Sequence, residues 1–319
     1  EVVRQTGSEN YRVFPDPQGL TSEIDRLMWH QEEPFGSTSI YAQWNVFRLA
    51  RSYRTKVVLD GQGADEILGG YHPFFGDFLA ELLASGRFGA TMRQAQHLRS
   101  IHGYSYMWVL SHLVAGLMRA EAAGLRSRPP FAWRTIPWLL NTTKVPPPVP
   151  LEQRFGGRHL LNRLYHLLTS TSLPALLHYE DRSSMAYSIE ARVPFLDHRL
   201  VDFIFSLPTD QILRDGMTKV ILRRAMSGIL PSRVRDRADK LGFGTPEENW
   251  FCTSLRDWIQ GIIRSRSLRE RGYLDADRAA KEFALHCAGK KNMSFTIWRW
   301  INLELWFRKF IDQVPGGLE

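Results

Sequence analysis

The stretch "VVLDGQGADEILGGY", Val57 to Tyr71, starts as a compact β-branched strand. It then breaks into Gly61, Gly63, Gly69 and Gly70 around two adjacent acids, Asp65 and Glu66. A strand running into a glycine-rich turn and a helix reads as one unit of an open parallel sheet, whose ligands bind beyond the carboxyl ends of the strands. Gly61 and Gly63 permit backbone angles and a close approach that side chains would block. No Gly-Lys-Ser/Thr follows, so this is not a lysine-bearing phosphate loop. Two carboxylates facing a polyphosphate would repel it unless a hard cation such as Mg²⁺ stands between them. The plainer alternative is that Asp65 and Glu66 complement the dipole of a short helix that Gly69 and Gly70 end.

On the N-terminal side, "LTSEIDRLMWHQEEP" places Leu20, Ile24, Leu27 and Met28 on one face of a helix that Pro34 stops. Ser39 to Tyr53 reads as a second amphipathic helix. Tyr11 to Asp16, closed by Pro15 and Pro17, reads as a short strand. After Tyr71 the pattern is helical: "FGDFLAELLASG" and "SYMWVLSHLVAGLMRAEAAG" carry Gly86 and Gly124 as stops. "RHLLNRLYHLLTS", "LPALLHYEDRSSMAYS", "TKVILRRAMSGIL" and "MSFTIWRWINLELWFRKFID" follow, the last with a thick apolar stripe that suits a core. Residues 126–150 are proline-rich and read as a long exposed connection. The expected fold is α/β and mostly helical: the remnant of a Rossmann-like parallel sheet in residues 1–71, and a large helical body over 72–319. One strand cannot make a sheet, so either further parallel strands come ahead of residue 1, the simpler expectation, or the chain's remaining short strands make an unusually small sheet.

The chain has 319 residues, 44% hydrophobic and 23% charged, which suits a globular protein with a sizeable core. It lacks an apolar run of about 18 residues, which argues against a membrane span. Two cysteines, Cys252 and Cys287, form no CxxC and no disulfide framework, and a cytoplasmic location is the natural expectation. The net charge of +8 suits a basic surface or a phosphate-bearing substrate. Basic and aromatic residues do not alternate as a base-stacking platform requires, so nucleic acid is not an expected partner.

Two further constellations carry chemistry. In "HYEDRSSMAYSIEARVPFLDHRLVDFIFSLP", His178 to Pro208, Asp181-Arg182 and Glu190-Arg192 set alternating charges beside apolar residues, and Glu190 and Arg192 read as a structural ion pair. In "DKLGFGTPEENWF", Lys240 stands at the mouth of a Gly-Phe-Gly turn; it reads either as an ordinary solvated lysine or as a charge fixed there to neutralise a phosphoryl or acyl-adenylate transition state.

Taken in order, these stretches resemble the synthetase domain of glutamine-hydrolysing asparagine synthetases. "VVLDGQGADEILGGY" is similar to the family's Ser-Gly-Glu-Gly-(Ser/Ala)-Asp-Glu segment, and "DRSSMAYSIEARVPFLDHRLVDF" to its most recognisable stretch. "HQEEPFGSTSIYAQ", "KVILRRAM", "DKLGFGTP" and the aromatic C-terminal helix match as well. The resemblance implies ATP and Mg²⁺ as cofactors and adenylation of the side-chain carboxylate of aspartate. Ammonia from glutamine, delivered by a separate N-terminal glutaminase domain, then displaces AMP to give asparagine. It assigns metal binding to Asp65 and Glu66, nucleotide or substrate binding to Asp60, Gly61, Gly63 and Arg182, and catalysis to Lys240 and position 62. A homodimer is compatible with it.

Two departures stand out. Gln62 occupies the place where the family carries Glu, and Gln cannot act as a general base. Asp60 replaces the usual Ser and brings a carboxylate back to the loop. The family's Ser-Gly-Gly-x-Asp-Ser pyrophosphate loop and its glutaminase are also missing from these residues. The chain therefore reads as a C-terminal portion that is inactive alone, its main backbone cradle for phosphate being absent. The first departure leaves open a related amidotransferase or cyclising synthetase acting on a cell-envelope or secondary-metabolite carboxylate. The second leaves open a non-catalytic helical scaffold.

Overall fold

The computed structural model describes residues 1–124, 139–140, 151–240, 242 and 244–313. The chain opens with α1 (Val2–Thr6), α2 (Pro17–Gln31) and α3 (Ser39–Ser52), then β1 (Val57–Leu59) and α4 (Ala64–Leu68). Next come α5 (Phe74–Ala84), α6 (Phe88–His102), α7 (Tyr106–Gly124), α8 (His159–Thr169), α9 (Ser172–Met185) and β2 (Glu190–Arg192). The C-terminal part holds α10 (His198–Ser206), α11 (Val220–Ala225), α12 (Ser232–Arg235), α13 (Glu247–Cys252) and α14 (Arg256–Ile263). Finally α15 (Arg266–Arg271), α16 (Ala276–Cys287) and α17 (Ser294–Phe307) complete it. The protein is thus α/β and mostly helical. Almost all of the expected proline-rich connection, 126–150, lies outside the described residues.

Helix α2 buries Leu20, Ile24, Leu27 and Met28, the stripe its spacing predicts. The strand expected over Tyr11 to Asp16 is not formed. Asp16 instead caps α2, accepting a 2.8 Å bond from the Gly19 amide, and Pro17 occupies the first helical position. Both residue types favour a helix start more strongly than the preceding aromatics favour a strand.

The sheet is a parallel pair, β1 with β2, in the register Val57–Glu190, Val58–Ala191 and Leu59–Arg192. Among the described residues β2 is the parallel partner that β1 required. It escaped the sequence reading because it is three residues long and two of them are charged. Glu190 and Arg192 do form an ion pair, 2.8 Å, on the exposed side of β2.

Two apolar clusters make up the interior. The first joins α2 and α3 to the C-terminal helices, with Trp44, Phe251, Ile259, Ile297 and Trp298 all buried. The stripe of α17 is therefore core, and the Trp298 indole N–H donates to the Phe35 carbonyl at 3.0 Å. The second joins α4, α5, α6, α8 and α10 through Ile67, Phe75, Leu98, Leu164 and Ile204. Val58 packs on the first cluster while Ile67 and Leu68 belong to the second. The loop from Asp60 to Asp65 thus runs from one core to the other, held at both ends. Among the described residues no helix is long and apolar enough to cross a membrane.

Candidate active site

The loop leaves the carboxyl end of β1 and turns at Gly63, whose φ is +84°. A Cβ there would also run into the Leu196 side chain, so glycine is required twice over. Gly61 faces open space, where a ligand can approach the backbone. Asp60 closes the turn by accepting a 2.9 Å bond from the Gln62 amide. Helix α4 follows with Gly63 as its N-cap and Gly69, φ +67°, as its stop.

The two adjacent acids are divided by the helix they begin. Glu66 is 1% exposed and points inward, accepting from the Tyr71 hydroxyl at 2.8 Å and the Ser172 hydroxyl at 3.0 Å. That anion, together with burial, drives the Tyr71 hydroxyl's pKa upward, burial being the larger cause. Asp65 points the other way, into a cleft of about 310 Å³ that Gly70, His72, Lys219, Arg223 and Lys240 also line. Its carboxylate is paired with Lys219 at 2.6 Å and with Lys240. Burial alone would raise the pKa of Asp65, but the two lysines outweigh it and hold the group below its ordinary value. A Cβ at Gly70 would collide with the Asp65 carboxylate, so that glycine keeps the acid in place.

Lys240 comes to this cleft from 175 residues away and lies 5.2 Å from the centre of the Tyr71 ring. The Gly-Phe-Gly turn after it falls partly outside the described residues, at 241 and 243. Lys219 was not singled out in the sequence. It precedes α11 with φ +55°, and its amide donates to the Leu68 carbonyl at 3.2 Å, which ties α11 to the end of α4. A lysine directly ahead of an amphipathic helix, after a Gly-Met-Thr turn, was the available signal. His72 borders the same cleft, and burial, then the neighbouring His102, lowers its pKa. The cleft, lined by two lysines and three arginines against the carboxylates of Asp65 and Asp239, is therefore predominantly cationic and suited to a polyanion.

Arg182 does not join this cleft. It makes a 2.9 Å ion pair with Glu32 in a separate surface hollow that Trp29 and Phe310 also line. Gln62 lies at the other end of the loop from Asp65, next to Asp60 and above Glu180 of α9. Glu180 was likewise not singled out, although a carboxylate on the inward side of an amphipathic helix was a signal. It is 2% exposed. Among the described residues no three His, Cys, Asp or Glu side chains converge as a metal cage. A metal here would take Asp65 as its protein carboxylate and its other oxygens from phosphate, the usual habit of Mg²⁺.

A parallel strand pair whose carboxyl-end loop opens on a lysine-lined cleft defines an α/β protein with its candidate site where open parallel sheets place theirs. The family described as asparagine synthase matches residues 1–308, and the chain belongs to that family. It is 24% identical to asparagine synthetase [glutamine-hydrolyzing] 1 of Bacillus subtilis, over 96% of this chain and 48% of that protein. It is 34% identical to asparagine synthetase [glutamine-hydrolyzing] 3 of the same organism, over 35% of this chain and 18% of that protein. Amidase chyE of Penicillium rubens is 24% identical over 86% of this chain and 45% of that protein. The chain spans about half the length of the curated relatives that it matches over most of its own length.

Proposed function

We propose that this chain supplies the ATP-using part of an amide-forming ligase. A carboxylate is activated as its acyl adenylate with release of pyrophosphate, and ammonia then displaces AMP. Aspartate is the first candidate for the carboxylate and glutamine for the source of ammonia, through a glutaminase domain as in the named relatives. The observation that carries this reading is the meeting of Lys219, Lys240 and Asp65 in one cleft at the end of the β1 loop.

Negative charge builds on the phosphates as pyrophosphate departs, and two fixed ammonium groups stabilise that charge more than they stabilise the ground state. Asp65 holds both ammonium groups on the cleft wall until the phosphates arrive. Bound Mg²⁺ would add a further positive charge on the phosphate oxygens, with Asp65 as its protein ligand; Glu66 is committed to Tyr71 and Ser172. Gly61, open to approach, suits a backbone contact with the nucleotide or the acyl group. Arg182, paired with Glu32, suits a supporting role at a distance.

The test is aspartate-dependent exchange of labelled pyrophosphate into ATP by the full-length protein. Exchange is expected, and Lys240→Met or Lys219→Met is expected to lower it by about 10²-fold or more, the size of a lost transition-state charge contact. Failure to exchange with any amino-acid carboxylate would remove the adenylation reading. A second reading keeps the chemistry and changes the acceptor, motivated by Gln62 and Asp60 and by the relative named an amidase. A carboxylate screen in which aspartate is silent and another acid releases AMP would select it.

A further inference from the structure

Two histidines stand where the lysine-bearing segments meet the helical body. His72 follows α4, His102 is the last residue of α6, and their ring centres lie 4.6 Å apart. Each ring points a nitrogen at a backbone carbonyl. Nε2 of His72 is 3.3 Å from the carbonyl of Ala238, which precedes Lys240 by two residues. Nε2 of His102 is 2.7 Å from the carbonyl of Gly216, which precedes Lys219 by three. A carbonyl oxygen only accepts, so both rings carry a proton on Nε2. The other nitrogen of His72 meets the Tyr104 hydroxyl. Burial first, and then His102, lowers the pKa of His72, which keeps that ring neutral and leaves its Nδ1 to accept from Tyr104.

The frame around the pair is stiff. Tyr104 stacks on His102 at 5.4 Å and on Trp108 at 3.8 Å. The turn before Lys219 is closed by two backbone bonds between Arg214 and Met217, 3.1 and 2.8 Å. Gly216, φ +75°, sits so close to α6 that a Cβ there would press on Ile101 and His97. Arg223 holds the Lys240 segment further back, by donating to the Arg235 carbonyl, and His72 holds it nearer the lysine. A lysine side chain is long and flexible, so its ammonium is well placed for developing charge only if its backbone is fixed.

We infer that His72 and His102 form an imidazole pair that fixes the two cleft lysines relative to each other, His72 through the Lys240 segment and His102 through the Lys219 turn. Both act through the lysines and are positioning residues. Because the two rings touch, segments from distant parts of the chain are tied to one unit rather than each to its own wall. The lysines accordingly converge on a single carboxylate, Asp65, where a phosphate group would take its place as their common partner. This rests on the reading of the cleft as a phosphate site given above.

The test is calorimetric binding of inorganic pyrophosphate, with Mg²⁺ present, to the full-length protein. Phe keeps the ring and its packing but removes the N–H donor. His72→Phe and His102→Phe are each expected to weaken binding about tenfold, what one hydrogen bond of ordinary strength is worth. The decisive readout is a crossed pattern in double-mutant cycles. His72→Phe should add nothing in a Lys240→Met background but keep its full effect in Lys219→Met, and His102→Phe should do the reverse. A histidine that serves packing alone lowers affinity equally in both backgrounds, and that result overturns the inference. His72→Gln and His102→Gln, whose amide N–H reaches where Nε2 stands, should recover most of the affinity. A second measurement needs no ligand: in ¹⁵N-histidine-labelled protein, both rings should show the Nε2–H tautomer, and an Nδ1–H tautomer at either overturns the pair. No binding of pyrophosphate by the parent protein overturns it too. The crossed pattern without exchange on any carboxylate removes the ligase reading and leaves the pair standing; exchange with uniform losses does the opposite.

Discussion

At the scale of single residues, the loop from Asp60 to Asp65 is held by glycine geometry, and a buried acid, Glu180, titrates under its influence. Gly63 combines φ +84° with a site filled by Leu196. Gly63→Ala should therefore destabilise the fold by about 1–3 kcal/mol, the cost of a side chain in that backbone region, read by urea denaturation. Gly61→Ala, facing open space, should cost far less and so serves as the control. Glu180 leaves a different signature. In the folded chain it keeps its proton up to about pH 8, whereas its ordinary value is 4.5. Stability from this group is therefore complete below about pH 4.5 and is lost progressively as the pH rises to about 8. Glu180→Gln carries no such dependence. Its melting temperature should gain on that of the parent protein across this window and level off above it, and a flat difference would show an ordinary carboxyl.

At the scale of elements, α4 is only five residues long and cannot stand on its own helical propensity. Its inner face is fastened by Glu66 to Tyr71 and to Ser172 at the start of α9, while its outer face presents Asp65 to the lysines. The buried acid is thus the anchor that aims the exposed one. Tyr71→Phe or Ser172→Ala leaves Glu66 with one partner fewer, at a cost of about 1–3 kcal/mol each. The two share one carboxylate, so their effects should be non-additive in a double-mutant cycle. Additive losses would mean that Glu66 is held by other contacts.

At the scale of the whole molecule, the C-terminal helices are locked by a charge buried far from the cleft. Glu304 of α17 is fully buried and accepts from Arg271 at 2.6 Å, Arg308 at 2.8 Å and the Ser267 hydroxyl at 2.6 Å. Arg271 also reaches Asp312, and these bonds raise its pKa against the effect of burial. Arg271→Ala strips a buried carboxylate of its main partner and should cost about 3–5 kcal/mol in chemical denaturation. The first core, which α17 shares with α2 and α3, should loosen with it.

Local pattern determined most of the elements. The stripes of α2 and α3, the strand at Val57–Leu59, the glycine-stopped α4 and the core role of α17 all follow from periodicity and turn chemistry, which act within a few residues. The same motifs marked Asp65 and Lys240 before their contact was visible. What they could not carry is anything set by distant packing. Strand β2 is too short and too charged to announce itself, and it exists because β1 lies beside it. The capping power of Asp16 overrode an apparent strand. Adjacent acids look alike along a chain, yet the rotation of about 100° per helical residue sends Glu66 into the core and Asp65 into the cleft. Lys219 and Glu180 acquire their chemistry only from neighbours more than a hundred residues away, because charge and burial depend on distance in space. The sequence by itself determined which residues could build the loop; the tertiary structure decided which ligand-facing partners each end of it has.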